Sequence, residues 1–143
     1  MDIDQDLKNR ITGEAYFLRA NYYFILVRLF GDVPLITKAQ TPDDDLRPRR
    51  TAASVVYDTI IGDLKRAIEL LPQREAYSGA DIGRASKGAA TGMLAKVYLT
   101  LGRYDETVNL CQRVTSLGYT LNENYTDNFR SEERRVGKEC RSR

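Results

Sequence analysis

The stretch Gly13-Glu14-Ala15-Tyr16-Phe17-Leu18-Arg19-Ala20-Asn21-Tyr22-Tyr23-Phe24-Ile25-Leu26-Val27-Arg28-Leu29-Phe30-Gly31-Asp32-Val33-Pro34 decides how the chain folds. Between Ala15 and Phe30 only Arg19 and Arg28 carry charge. Leu7, Ile11, Ala15, Leu18, Tyr22, Ile25 and Leu29 recur at steps of three and four, which reads as one buried helix face. Phe17, Ala20, Phe24 and Val27 add a second apolar stripe. A helix that is apolar on several sides is a core helix or a membrane span. Eight uncharged residues separate Arg19 from Arg28, far short of the roughly 20 needed to cross a bilayer. The reading is therefore a core helix over about Asp4 to Phe30, covered on nearly every side. Gly31 can take the left-handed closing position and Pro34 bars continuation.

Three more helices follow by the same logic. The second runs roughly from Thr51 to Leu71, with Thr51 or Ser54 as its cap. Val56, Ile60, Leu64, Ala67, Ile68 and Leu71 form its apolar face, and Asp63, Lys65, Arg66 and Glu69 point elsewhere. Gly62 lies inside it at a cost of ~1 kcal/mol relative to alanine, for which close approach of a neighbouring backbone is the expected reason. The third helix runs roughly from Ser86, its cap, to Leu101, with the small residues Gly88, Ala89, Gly92 and Ala95 allowing close packing. The fourth spans about Tyr104 to Leu117 and ends at Gly118, with Val108, Cys111, Val114 and Leu117 on its inner face.

The connections are polar. Pro34, Pro42 and Pro48 keep residues 31–50 out of regular helix. Asp43-Asp44-Asp45 and Arg47, Arg49 and Arg50 there read as a solvated charged turn, because a calcium loop needs alternating oxygen ligands and a glycine at fixed offsets. Pro72 to Ala85 is a second loop, whose one aromatic, Tyr77, is a weak candidate for stacking on a sugar ring and otherwise packs on its own loop. Tyr119 to Phe129 reads as extended, anchored by Tyr119, Leu121, Tyr125 and Phe129. Arg130 to Arg143 is charged, lacks a face, and reads as disordered and non-native, a read-through tail.

Composition excludes much. The 143 residues suggest one domain or part of one, and 42% hydrophobic content is enough for a core. The net charge is +2, of which residues 130–143 contribute +3, so the body is nearly neutral and offers no electrostatic footprint for nucleic acid. There is no histidine, and Cys111 and Cys140 stand alone, so neither a metal set nor a nucleophile with its base is present. No catalytic residue, cofactor or metal ligand is assigned. Met1 is followed by Asp2, Asp4 and Asp6, so no secretory leader is read at this end. The tyrosines Tyr16, Tyr22, Tyr23 and Tyr98 read as core or groove lining, and Glu14, Arg19 and Arg28 as structural charges. A buried Arg19 needs a carboxylate or several carbonyls.

Two helical pairs are visible, the unit of α-solenoids. In the second, Leu94-Ala95-x-x-Tyr98, Gly102, Tyr104 and Thr107 follow tetratricopeptide spacing, with Thr107 where alanine is preferred. The chain also carries Glu14-Ala15-x-x-Leu18-Arg19-Ala20-x-x-Tyr23-Phe24, then Arg28-Leu29-Phe30-Gly31-Asp32-Val33-Pro34. Further on stand Asp63-Leu64, Leu71-Pro72, Gly83-Arg84-Ala85-Ser86-Lys87-Gly88 and Gly118-Tyr119-x-Leu121. In this order and spacing the chain resembles the SusD/RagB family of outer-membrane nutrient-binding lipoproteins of Bacteroidetes, over about residues 5 to 129. The resemblance implies an all-α, tetratricopeptide-like fold with long irregular loops. It also implies capture of a glycan or other nutrient at the cell surface without catalysis, beside a SusC-like TonB-dependent transporter. Membrane attachment would be through an N-terminal lipid anchor that this chain lacks. The family markers Glu14, Arg19, Arg28, Gly31, Asp32 and Pro34 are expected to hold architecture, and the ligand residues stay unassigned. A tetratricopeptide-type adaptor for a protein partner is the alternative. A fragment of such a domain is also expected to leave an apolar face of its first helix uncovered.

Overall fold

A computed structural model describes residues 4–43, 47–119 and 126. Among them are four α-helices: α1 (Gln5–Phe30), α2 (Ala53–Leu70), α3 (Lys87–Thr100) and α4 (Tyr104–Ser116). Two short 3-10 turns lie between α2 and α3. Each helix packs on the next, and α1 just reaches α3, so two helical hairpins stack side by side. The expected all-α architecture is present, with boundaries within two residues of those read from the sequence. The expected extended segment from 120 to 129, the tail 130–143, and Asp44 and Asp45 of the acidic turn lie outside the described residues, apart from Thr126.

Local chemistry sets most helix ends. The Asp4 carboxylate accepts a hydrogen bond from the Leu7 N–H at 3.2 Å, satisfying one free donor of the first turn of α1. Gly31 closes α1 at φ 67°, and its N–H reaches the Val27 carbonyl at 2.9 Å. Ser86 caps α3 by accepting from the Ala89 N–H.

The start of α2 differs from expectation. Neither Thr51 nor Ser54 caps it. The Ala53 N–H instead donates to Asp32 Oδ1 at 2.8 Å. Thr51 meanwhile donates from its backbone to the Val33 carbonyl at 2.9 Å, an isolated antiparallel bridge. This neck brings Asp32 to the mouth of α2, where a carboxylate also complements the helix dipole. Asp32→Ala is expected to lower stability by about 1 kcal/mol. Ser54→Ala should stay within about 0.5 kcal/mol. Urea unfolding midpoints of the two variants check the ranking.

The core forms on one side of α1 only. Gly13, Ala20, Phe24 and Val27 are buried, with Phe17 and Tyr23 packed against the core. They meet Val56, Ile60, Leu64 and Ala67 of α2. The stripe read as the buried face is open: Ile11, Leu18, Tyr22, Ile25 and Leu29 are all exposed, Leu29 to 71%. The second stripe is the inner one, because α2 lies against it. An uncovered apolar face of the first helix was expected, and this stripe is that face. The helix covered on several sides is α3, which sits between α2 and α4 and buries Ala90, Thr91, Leu94, Ala95, Val97 and Tyr98.

Other positions shift likewise. On α4, Leu110 is buried and Val114 half-buried, whereas Val108 and Cys111 face outward; the inner stripe lies about one residue round the helix from the expected one. A Cβ on Gly62 would meet nothing within 4 Å, so no close approach explains that glycine. Gly13 makes the close approach, since a Cβ there would come within 3.0 Å of Leu71 Cγ. Gly92 likewise faces open space, while a Cβ on Gly88 would run into the Tyr119 ring. The space at Gly88 therefore admits a side chain rather than a helix.

Candidate functional site

The charged residues of α1 hold the two long loops against the helical pair. On one flank, Arg19 and Asp63 form a two-pronged ion pair: Nε donates to Oδ2 at 2.7 Å and Nη2 to Oδ1 at 2.6 Å. Asp63 was expected to point outward, yet only 5% of it is exposed. Its spacing from Val56, Ile60 and Ala67 places it on the buried face, and Arg19 is the partner that makes that burial tolerable. Hydrogen bonding to Asp63 raises the Arg19 pKa, with burial opposing. Arg19 Nη1 donates to the Thr37 carbonyl at 2.9 Å, and the Ile36 N–H donates to the Tyr23 hydroxyl at 2.7 Å. Together they pin the start of the loop after α1.

On the other flank, the loop between α2 and α3 is tied down. Arg84 reaches Glu14 Oε2 at 2.9 Å and Asp81 Oδ1 at 2.6 Å, and Arg10 reaches Asp81 Oδ2 at 3.0 Å. The loop ends meet where the Lys87 N–H donates to the Pro72 carbonyl at 2.8 Å. Tyr77 is inside this arrangement and only 9% exposed. Its hydroxyl donates to the Ala85 carbonyl at 2.8 Å, and the Arg10 guanidinium lies 5.9 Å from its ring centroid. Burial, and then Glu14, push the Tyr77 phenol above its ordinary value. Its ring is engaged by its own loop and by α1.

This second tether depends on pH. Hydrogen bonds from Arg84 and then Arg10 lower the Asp81 pKa below its usual 3.8. The native state thus binds this proton more weakly than the unfolded chain. The contribution of Asp81 is complete above its ordinary value and is lost as pH falls through the lowered folded value. Protection of the amides between residues 73 and 86, measured against the unstructured exchange rate at each pH, is therefore expected to fall below pH 3.8 before that of the core of α2 and α3. Protection that falls uniformly along the chain would contradict this.

The remaining marker residues have simple places. Arg28 is exposed and lies over the Phe24 ring at 5.2 Å, and Pro34 follows the bridge residue Val33 in the neck. Among the tyrosines, Tyr98 is buried with Arg103 4.4 Å over its ring, Tyr16 and Tyr23 are half-buried, and Tyr22 is 63% exposed, contrary to its expected core place.

One groove of about 400 Å³ opens between α2 and α4. Leu94 and Tyr98 of α3 form its floor, Ile68 and Leu110 its walls, and Lys65, Glu69, Glu106 and Arg113 its rim. Sequence reading did not find it, because its lining comes from three helices. Among the described residues no group of three or more metal-ligating side chains comes together. No described helix is long and apolar enough to cross a membrane. The arrangement is suited to holding loops and surfaces in place.

Known proteins share this fold. The SusD-like family described as "Starch-binding associating with outer membrane" matches residues 2–99. A SusD-like protein (P2) of Formosa agariphila is 38% identical over 112 residues, 78% of this chain and 21% of that protein. A SusD-like protein of Bacteroides ovatus is 37% identical over 98 residues, 68% of this chain and 17% of that protein. Among solved structures, a SusD-like protein from Bacteroides fragilis aligns with a TM-score of 0.76 and 40% identity, over 83% of this chain and 23% of that one. A laminarin-binding SusD-like protein aligns with a TM-score of 0.80 and 36% identity, over 89% of this chain and 29% of that one. The chain thus spans between about a sixth and three tenths of these relatives. Matched by the family over residues 2–99 and sharing its fold with these relatives, the chain belongs to the SusD-like family.

Proposed function

We propose that this chain is the helical scaffold of a non-catalytic glycan-binding subunit at the outer-membrane surface, working beside a SusC-like TonB-dependent transporter. The observation that carries the reading is the family match over residues 2–99, joined to the architecture shared with a laminarin-binding relative. Within that reading, α1 and its ion pairs hold the two long loops, and the rest of the full-length protein supplies most of the sugar contacts.

The test uses the full-length protein in native gels cast with neutral polysaccharides, laminarin and starch among them. Retardation by at least one glucan, with no release of reducing ends, is the expected result. Migration unchanged across the panel would overturn the glycan assignment. Affinity-tagged protein should also co-purify a TonB-dependent β-barrel transporter from solubilised outer membranes, and its absence would remove the transporter from the proposal.

A further inference from the structure

The outer stripe of α1 is regular. Ile11, Ala15, Leu18, Tyr22, Ile25 and Leu29 follow steps of four, three, four, three and four. At 3.6 residues per turn they fall on the side of α1 opposite Gly13, Ala20, Phe24 and Val27. The stripe runs for about 27 Å at 1.5 Å per residue. All of its residues are exposed, and no charged side chain interrupts it. The steps keep to the 3.6-residue helical period, so the stripe stays on one side of a straight helix; a second helix can lie nearly along it, and Ala15 lets it come close. An apolar face this continuous marks an interaction surface.

The flanks say what kind of helix fits. Among the described residues, Arg10, Glu14 and Arg19 are taken up by ion pairs with Asp81, Arg84 and Asp63. Lys8 and Arg28 remain as basic residues beside the stripe, and neither forms a salt bridge among the described residues. Between Lys8 and Leu29 the one acidic residue is Glu14, and it is paired with Arg84, so this stretch of a second copy brings no free carboxylate to meet Lys8 or Arg28. The Formosa agariphila relative, meanwhile, has most of its length outside the match, since the chain covers 21% of it.

We propose that this stripe is a helix-docking seam, and that its occupant is an amphipathic α-helix with acidic residues beside its apolar face, contributed by the remainder of the full-length polypeptide. The seam makes α1 a middle layer, with α2 on one side and the later helix on the other. The inference stands apart from the glycan-binding reading, because it needs only the fold and the charge pattern of α1.

Thiol labelling tests it. Tyr22→Cys is made in a Cys111→Ser, Cys140→Ser background, in the 143-residue chain and in the full-length protein, with the rate in urea as reference. Tyr22 is exposed, so the substitution does not threaten the fold. In the 143-residue chain the thiol should react nearly as fast as when unfolded; in the full-length protein it should react at least about tenfold more slowly. Arg28→Glu in the full-length protein should raise the rate more at low than at high salt, because the attraction it reverses is screened. Fast labelling in both forms would overturn the seam. Protection already present in the 143-residue chain, together with a doubled mass in light scattering, would assign the face to a second copy and overturn the proposal. A salt-independent effect of Arg28→Glu would overturn the acidic flank.

Discussion

Replacing Arg19 by alanine is expected to cost about 3–5 kcal/mol, because it leaves the buried Asp63 carboxylate without its counter-charge. Both oxygens of Asp63 are taken up by one guanidinium, and its side chain is only 7% exposed. The penalty is asymmetric. Arg19 is 28% exposed and reaches water, so Asp63→Ala strands a charge that solvent already touches and should cost less. Arg19→Lys keeps the charge but loses the two-pronged geometry, so it should fall between wild type and alanine. Removing both partners as Arg19→Met/Asp63→Leu should restore much of the loss, since the costly species is the lone buried charge. Equilibrium urea unfolding of the four variants reads the series. A loss below about 1 kcal/mol for Arg19→Ala would mean that water reaches Asp63 and that the pair is worth no more than a surface one.

The second large effect is expected at Phe24. It is 1% exposed and meets Tyr57 edge to face, with ring centroids 6.4 Å apart. Phe24→Ala removes that contact and opens a cavity where α1 meets α2, at a cost of about 3–5 kcal/mol. Small domains have ~5–15 kcal/mol in all, so this variant of the 143-residue chain should be close to unfolding at 25 °C. Leu29→Ala is the control on the opposite stripe; 71% of Leu29 is exposed, and its loss should stay within about 0.5 kcal/mol. Comparable losses at the two positions would mean that the outer stripe is covered even in this chain. Calorimetry or urea titration separates these outcomes.

Much of the fold was legible because the signals are local. The Ser86 cap, the Gly31 stop and the helical periodicities act within a few residues, and they placed all four helices. The family motifs were legible too, and they pointed to the residues that hold the loops: Glu14 and Arg19 through ion pairs, and Asp32 through the mouth of α2. The site was harder to read. Arg10, Asp81 and Arg84 are brought together across about seventy residues of chain, and the groove between α2 and α4 takes its lining from three helices. Asp63 carried a usable signal in its spacing from Ile60 and Ala67, but its charge argued the other way until its partner was known.

The sequence by itself determined the helices and their approximate bounds, the neutral and histidine-free character of the body, and the family to which the motifs belong. Only the tertiary structure decided which of the two stripes of α1 faces inward. Both are apolar and both keep helical spacing, so periodicity cannot rank them; the choice falls to the side on which α2 packs, with Gly13 against Leu71 and Phe24 against Tyr57. The same holds for the start of α2, where a carboxylate twenty-one residues upstream supplies the cap that neither Thr51 nor Ser54 provides, because the bridge between Val33 and Thr51 sets it there.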